Sequence, residues 1–406
     1  MHIAWLGKKT PFCGNVTYSR EITNELKNRN KRVSFIHFAP TEAQPGQAFE
    51  NQDVTLPFLF TSQVYTIPVP RSGKMLARSL QDRQPDLVHA SLTLSTLDFR
   101  LPEICADLDL PLIATFHPPF DSQSRSLASW TQHFMYQLYA PFLAHYDCTI
   151  VFSQRQREKL IHLGVPPNRI AVIPNGVDET KYTSHPHSLP SVTCDCALKQ
   201  TFGAKRLFVY QGRISAEKNV ESLLKAWKQV EMGPDCKLVI VGDGPLRSLL
   251  MTYYGPEDGI IWLGYVGDEQ QRINILQAAD VFILPSLVEG LSLSLLEAMA
   301  CNVACIATDA GADGEVLEEV GIVLDTKNVT PQLKPWLQKF RDCPESLLRD
   351  YGQKARQRVE DCYTLRKNVT SLEALYQRIL DRRQHTPRRN NLKAISSLLQ
   401  KNIAAW

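Results

Sequence analysis

The chain has 406 residues, 44% of them hydrophobic and 21% charged, and its net charge is +3. That length exceeds one ordinary core and favours two domains of globular composition. So small a charge excludes a general polyanion binder, and no nucleic-acid partner is expected. The ten cysteines are scattered, with none in a CxxC pair; they offer no metal knuckle and read as reduced, mostly packed thiols. Met1–Gly7 enters a strand pattern directly, without the basic and long apolar stretches of a signal peptide. No run of about 18 apolar residues occurs, so the expected location is cytoplasmic.

In chain order, Ile3–Leu6 reads as a strand, followed by a glycine-containing turn and a helix from about Tyr18 to Asn28. Val33–Phe38 is the next strand, and Asp86–His89, Leu112–Thr115, Cys148–Val151 and Ile170–Ile173 continue the series with helical stretches between them. Strands alternating with helices predict a parallel, doubly wound sheet. Pro174-Asn175-Gly176 closes the series, and a polar stretch rich in Ser, Thr, Pro and His runs on to about Gly203, as a linker does. A second series has strands at Leu207–Tyr210, Lys237–Val241, Ile260–Leu263, Val281–Leu284 and Val303–Ala307. Its helices are predicted at Val220–Val230, beyond Gly244-Pro245, and at Gly290–Ala300. The expectation is an α/β protein with two Rossmann-like doubly wound domains facing a central cleft. They are residues 1–180 and 204–365, joined by a linker at 181–203. A helical basic tail at 366–406 either packs back on the first domain or lies free. Ligands of such sheets bind outside the carboxyl ends of the strands.

The segment Val281–Ala300 carries the most chemistry. A strand ends at Pro285-Ser286, a turn carries Glu289-Gly290, and a helix is expected from near Leu291, with Ser292 and Leu293 in its first turn. A helix N-terminus presents free N–H groups and a positive dipole end, which suit a diphosphate. Glu289 and Glu297 stand about 2.2 helical turns apart, and two carboxylates so placed accept hydrogen bonds from a sugar and from a ribose. Taken alone, the pair also fits two solvated glutamates. The wider pattern runs from Gly264 through Ala279-Asp280, Pro285-Ser286, Glu289-Gly290 and Glu297–Ala300 to Gly311 and Glu315-Val316. It resembles the E-x7-E signature of the family-4 glycosyltransferases, whose fold is named GT-B.

Three further segments match that family in order. Gln211-Gly212-Arg213, followed by Lys218, is similar to its G-R-(x)4-K element; the planar fork of Arg213 and the point charge of Lys218 suit phosphate oxygens. Ile240–Arg247, with Gly242, Gly244 and Pro245, is similar to the strand–GxGP–helix turn near the nucleotide base, and its glycines serve either the turn or the ligand. Ile173–Asp178 matches the hinge segment and is given no chemistry. In the first half, Pro11–Asn15 stands where the family often carries a glycine pair. Gly14 preserves a backbone approach to the diphosphate or the acceptor, while Cys13 and Asn15 depart from the pattern. Thr115-Phe116-His117 resembles the T-x-H element that sets a histidine beside the transferred sugar.

The resemblance covers essentially the whole chain and is tighter in the second half, which would hold the donor nucleotide, the first half serving the acceptor. It implies retaining, metal-independent, front-face transfer of a hexose from a nucleotide-sugar donor, without a cofactor, the leaving diphosphate helping to deprotonate the acceptor hydroxyl. Arg213, Lys218 and the helix end after Gly290 would stabilise the developing charge. Glu289 would hold the sugar's hydroxyls, Glu297 the ribose, and His117 would lie near the sugar and the donor phosphate. Asp107-Leu108-Asp109 spells the DxD metal motif of the other large transferase fold, but it precedes the Leu112 strand and is read as chance; no metal ligand is assigned.

The acceptor is less legible: a sugar, a polysaccharide or a glycolipid. Gly7–Thr23 is similar to the corresponding run of bacterial-type digalactosyldiacylglycerol synthases, which implies UDP-galactose as donor and monogalactosyldiacylglycerol as acceptor. Two basic and apolar regions, Arg71–Arg78 and the tail from Arg378 to Lys401, fit either peripheral contact with an anionic membrane or a face packed on the protein itself. The apolar, aromatic stretch Trp130, Phe134, Tyr136, Leu138, Tyr139 and Phe142 reads mainly as core, with part available to line an acceptor groove. Three other readings compete: a transferase of the same family acting on a polysaccharide or soluble glycoside, a nucleotide-sugar epimerase of the same fold, and a catalytically dead binding protein. The intact Arg213, Lys218, Glu289 and Glu297 argue against the last.

Overall fold

The computed structural model describes residues 1–9, 14–39, 53–62, 65–92, 94–118, 127–184 and 195–385. The chain forms two compact units. Unit 1 comprises Met1–Pro118, Phe134–Ile173 and Val369–Trp406, and unit 2 comprises Pro119–His133 and Pro174–Asn368.

Unit 1 runs β1 (His2–Gly7), α1 (Gly14–Asn28), β2 (Arg32–Phe38), β3 (Val54–Leu56), the hairpin strands β4 (Phe58–Thr61) and β5 (Thr66–Pro68), and α2 (Ser72–Arg83). It continues with β6 (Leu87–Ser91), α3 (Leu101–Asp107), β7 (Leu112–Thr115), α4 (Leu127–Leu143), β8 (Cys148–Val151), α5 (Gln154–His162) and β9 (Ile170–Val172). Its parallel sheet has the order β3-β2-β1-β6-β7-β8-β9. Strands covered on both faces must be apolar throughout, and every residue of β1, β6, β7 and β8 is buried. The chain winds outward from β1 through β2 and β3, then resumes at β6 on the other side of β1, so the winding reverses between β1 and β6. β3, β4 and β5 are three or four residues long and show no clean in–out alternation, which is why the sequence did not announce them.

Unit 2 runs α6 (Asp195–Phe202), β10 (Arg206–Gln211), α7 (Val220–Val230), β11 (Cys236–Val241), α8 (Arg247–Met251), β12 (Ile260–Gly264), α9 (Glu269–Ala278) and β13 (Val281–Leu284). α10 (Leu293–Ala300), β14 (Ala304–Thr308), α11 (Asp313–Leu317), β15 (Ile322–Leu324), α12 (Val329–Asp342) and α13 (Glu345–Cys362) follow. The sheet order is β12-β11-β10-β13-β14-β15, with the reversal between β10 and β13. α7 shows how the helices are held. Val220, Leu223, Leu224, Trp227 and Val230 form one buried stripe, each worth roughly 1.5–3 kcal/mol of burial. The Trp227 ring packs edge-on against Phe208 of β10 at 5.1 Å between centroids.

Two expectations change, and one left open is decided. α10 begins at Leu293, not near Gly290 or Leu291, because Ser292 adopts an extended backbone and its hydroxyl takes the Leu295 amide as an N-cap. The span read as linker contains a helix, α6, built on the helix-forming run Ala197-Leu198-Lys199-Gln200. The tail is ordered as α14 (Leu365–His385), and within unit 1 Arg29 pairs with Glu373 at 2.9 Å while Arg383 pairs with Asp109 and Asp147, both at 3.3 Å. The basic residues from 386 onward lie outside the described residues, as do Pro11, Phe12 and Cys13. Inside unit 2 the segment matched to a hinge is clamped to the start of α14. The Val177 amide donates to the Tyr363 carbonyl (2.9 Å), Leu365 returns a bond to Val177 (2.8 Å), and the Asn368 amide donates to the Pro174 carbonyl.

Candidate active site

In unit 2 the expected donor residues come together where the winding reverses, a position at which sheets of this class hold ligands. β10 runs into Gly212, Arg213 and a tight turn at Ala216–Lys218, and β13 runs into Pro285–Gly290. The Leu287 amide donates to the Glu217 carbonyl at 2.8 Å and the Asn219 side chain to the Pro285 carbonyl at 3.2 Å. Across this zip Lys218 and Glu289 form an ion pair between largely buried side chains, 20% and 10% exposed. The Ser286 hydroxyl donates to the same Glu289 oxygen at 2.8 Å. Arg213 lies nearer the rim, paired with Glu217 at 2.5 Å.

The third loop, Gly242-Asp243-Gly244-Pro245, is laid backbone against backbone on the Arg213 loop. Ile214 donates to the Asp243 carbonyl (2.9 Å) and receives a bond from the Leu246 amide (3.1 Å). Gly242 has φ +135°, and a Cβ there would run into the Gly212 carbonyl oxygen; one at Gly244 would run into Ile214. Loop packing therefore accounts for both glycines, and Pro245 is exposed beside them. A fourth loop supports Glu289 from the other side. Gly311, at φ +62°, leaves room for the carbonyls of Glu289 and Gly290, and the Ala312 amide donates to Gly290 at 2.8 Å.

Two groups the sequence reading passed over hold the start of α10. Asp313 accepts the Ser292 amide at 2.9 Å, and the buried Leu291 carbonyl accepts from Asn175 at 2.8 Å. Burial, with the Glu289 charge adding to it, holds the Asp313 carboxyl well above the usual carboxylate range. Glu297 is not on a solvated helix face. It is buried, accepts the Gln211 amide at 2.8 Å and the Tyr182 hydroxyl, and burial pushes its carboxyl up to about 7.

In unit 1 the expected residues also stand at the reversal. Gly14 opens α1, exposed and with open space around it. The next residue, Asn15, donates through Nδ2 to the Leu92 carbonyl at 3.2 Å, so its Oδ1 faces Ser91 and accepts that hydroxyl's proton at 2.6 Å. With its proton committed, Ser91 Oγ accepts from His117 Nε2 at 2.8 Å. This network assigns His117 the Nε2–H tautomer. Burial pushes its pKa down to about 3, so the ring is neutral and Nδ1 is an acceptor without a partner among the described residues. Tyr18 and Phe152 flank the imidazole at 4.9 and 5.3 Å.

Beneath it His89, also pushed to about 3 by burial, stacks on Trp5 at 4.0 Å. One ring nitrogen meets Thr115 Oγ1 (2.8 Å) and the other the Tyr376 hydroxyl of α14 (2.5 Å). Of the aromatic run, Tyr136, Tyr139 and Phe142 are buried core, and Tyr139 donates to Asp98 at 2.8 Å. Trp130 falls outside the described side chains. Asp107 and Asp109 sit at the amino end of β7, where the Asp109 carbonyl takes Arg383 at 2.7 Å.

Residues 13–181 match the family "Glycosyltransferase Family 4" and residues 199–358 match "Glycosyl transferases group 1". The chain belongs to the family-4 glycosyltransferases. This family-4 chain is 28% identical over 228 residues to N-acetyl-alpha-D-glucosaminyl L-malate synthase of Bacillus anthracis, covering 54% of this chain and 56% of that protein. It is also 28% identical over 226 residues to UDP-Gal:alpha-D-GlcNAc-diphosphoundecaprenol alpha-1,3-galactosyltransferase of Escherichia coli, covering 53% and 55%. The matches thus span about half the length of these curated relatives. The structure of Anabaena Alr3699/HepE in complex with UDP-glucose shares the GT-B fold, at a TM-score of 0.73 and 16% identity over 93% of this chain and 99% of that one. Among the described residues no helix is long and apolar enough to cross a membrane.

Proposed function

We propose that this chain is a retaining, metal-independent glycosyltransferase. It moves a hexose from UDP-galactose or UDP-glucose to an acceptor hydroxyl on a glycolipid such as monogalactosyldiacylglycerol. The observation that carries the reading is the Lys218–Glu289 ion pair at the unit 2 reversal, which joins the two charged motifs of the family at one point. A diphosphate arriving there exchanges with Glu289 for Lys218 and with Glu217 for Arg213, and the first-turn amides of α10 add donors without a counter-charge. As the sugar–phosphate bond breaks, negative charge grows on the leaving diphosphate, where these cations stabilise it. That oxygen accepts the proton of the acceptor hydroxyl as the new glycosidic bond forms. Glu289, released from Lys218, accepts sugar hydroxyls; Glu297 accepts those of the ribose. Neutral His117 accepts from a sugar hydroxyl through Nδ1, and an imidazole in this state is unsuited to an anion.

The names of two similar proteins support a UDP-sugar donor and a lipid-linked acceptor. The E. coli relative is named for UDP-Gal and a diphosphoundecaprenol-linked sugar, and the Anabaena structure holds UDP-glucose. The test is incubation of the chain with labelled UDP-galactose or UDP-glucose, with and without monogalactosyldiacylglycerol. Label in the lipid phase is the expected result. Label only in soluble saccharide moves the acceptor to a polysaccharide or glycoside, and isomerised donor without acceptor makes the protein an epimerase.

A further inference from the structure

Unit 1 carries a surface that the transfer chemistry does not use. Seven of its large apolar side chains are exposed among the described residues, and five of them fall between positions 59 and 75. Leu59 (70% exposed), Phe60, Tyr65 and Ile67 project from the β4–β5 hairpin, and Met75 from the first turns of α2. A two-stranded ribbon is marginal by itself in water, and this one is tied to the helix. The Pro57 carbonyl accepts both the Val69 amide (3.4 Å) and the Ser72 hydroxyl (2.7 Å), so hairpin and helix start form one piece.

The charge on that piece is of one sign. From Val54 to Gln81 there is no Asp or Glu, while Arg71, Lys74 and Arg78 are all exposed. None of the three makes an ion pair among the described residues. At about 100° per residue, positions 71, 74, 75 and 78 share one outward arc of α2, opposite the buried Leu76 and Leu80. The exposed apolar group of unit 2, around Leu249 and Tyr253, differs: its neighbouring cations are spent, Arg247 on Asp243 and Lys228 on Asp258.

We infer that the β4–β5 hairpin and the outer arc of α2 dock on an anionic lipid bilayer, with Leu59 and Phe60 entering the headgroup layer and Arg71, Lys74 and Arg78 facing lipid phosphates. Apolar tips joined to a helix arc whose cations have no ion-pair partner among the described residues complement such a surface, because burial and charge neutralisation act together. A second copy of the chain fits worse, since a two-fold contact would set the same cations against each other. The inference deepens the proposed reading by bringing the chain to a lipid acceptor, but its test needs neither donor nor turnover, so either can fail alone.

The experiment is co-sedimentation of the full chain with phosphatidylcholine vesicles, with and without phosphatidylglycerol, at low and high salt. Binding should require phosphatidylglycerol and weaken with salt. Arg71→Gln/Lys74→Gln/Arg78→Gln should lower it roughly a hundredfold at low salt, about fivefold per cation. Leu59→Ser/Phe60→Ser should lower it about tenfold or more at either salt. All five side chains are exposed, so an unchanged thermal midpoint is the control for folding. Absence of wild-type sedimentation overturns the inference, as does wild-type binding by both variants. Self-association that the Leu59/Phe60 variant abolishes, without vesicle binding, also overturns it and makes the surface a contact between copies.

Discussion

The two units place their candidate residues at the same point of the same kind of sheet, yet they build that point from opposite materials. In unit 2 four loops lie backbone on backbone, and formal charges meet in the middle as Lys218–Glu289 and Arg213–Glu217. In unit 1 the polar groups are neutral: Asn15, Ser91 and His117 pass hydrogen bonds along one line, and His89, Thr115 and Tyr376 along another. Fixed cations favour a ligand that becomes more negative in the transition state. A neutral lone pair favours a hydroxyl. On the proposed function the comparison divides phosphate handling from hydroxyl handling, and each half of the division can be attacked separately.

The largest effect is expected in unit 2. Arg213→Ala or Lys218→Ala should lower turnover by roughly a hundredfold or more, a barrier change of about 2.7 kcal/mol. The two variants should differ in stability. Lys218→Ala leaves Glu289 buried without its counter-charge, whereas the Arg213–Glu217 pair is more than a third exposed on one side and costs little to remove. Steady-state turnover with a thermal melt of each variant separates the effects, and near-normal turnover in either removes that cation from the mechanism.

Glu297 comes next. Its carboxyl titrates near 7 in the fold against an ordinary value of 4.5, because of burial. Between those values the folded chain holds a proton that the unfolded chain has released. The stabilisation is complete below about pH 4.5 and is lost as pH rises through about 7. Glu297→Gln keeps the site neutral at every pH, so it should flatten the stability profile and gain on the order of 2 kcal/mol above pH 7. Melting curves at about pH 5 and pH 8 read this directly, and a variant whose profile stays parallel to wild type would place the titration elsewhere. Glu297→Ala should raise the donor KM; an unchanged KM takes the residue off the ribose.

These residues also mark how far the sequence could be read. Arg213, Lys218, Glu289 and Glu297 could be singled out because their spacing around strand ends, a local pattern, resembles the motifs of the family. The helix start was misplaced by two or three residues because the Ser292 cap is decided by its own backbone and the Asp313 carboxyl group, 21 positions away. His89 and Tyr376 were illegible for the same reason on a longer scale. A histidine inside an apolar strand has no periodic signal, and its partner lies 287 positions on, in a tail that the sequence left as either packed or free. The hairpin was missed because Leu59 and Phe60 point outward on consecutive positions, which defeats alternation.

That long-range contact gives a smaller expected effect. Tyr376→Phe removes the hydroxyl from buried His89 and should cost about 1–2 kcal/mol of unit 1 stability, read by thermal melting, while donor binding to unit 2 stays unchanged. A loss of donor affinity would mean that the neutral network and the charged site are coupled, contrary to the division drawn above.

The smallest effect tests the neutral line most directly. Ser91→Ala removes the acceptor of the His117 Nε2 proton, and because the His117 ring itself is only half-buried, water replaces that acceptor at a cost of about 1 kcal/mol or less. Stability alone would not report so little. The tautomer would, because without Ser91 nothing ties the proton to Nε2, and the ring should become a mixture of both neutral forms. Nitrogen-15 spectra of His117 distinguish the two: wild type should show a protonated Nε2 and a bare Nδ1, and Ser91→Ala should show partial protonation at each. Asn15→Asp is the companion variant. It keeps an acceptor for the Ser91 hydroxyl while losing the donor to Leu92, so the Nε2–H form should persist. A single Nε2–H form in Ser91→Ala would mean that another group holds the proton, and the line from Leu92 through Asn15 and Ser91 would not set the state in which His117 meets a sugar.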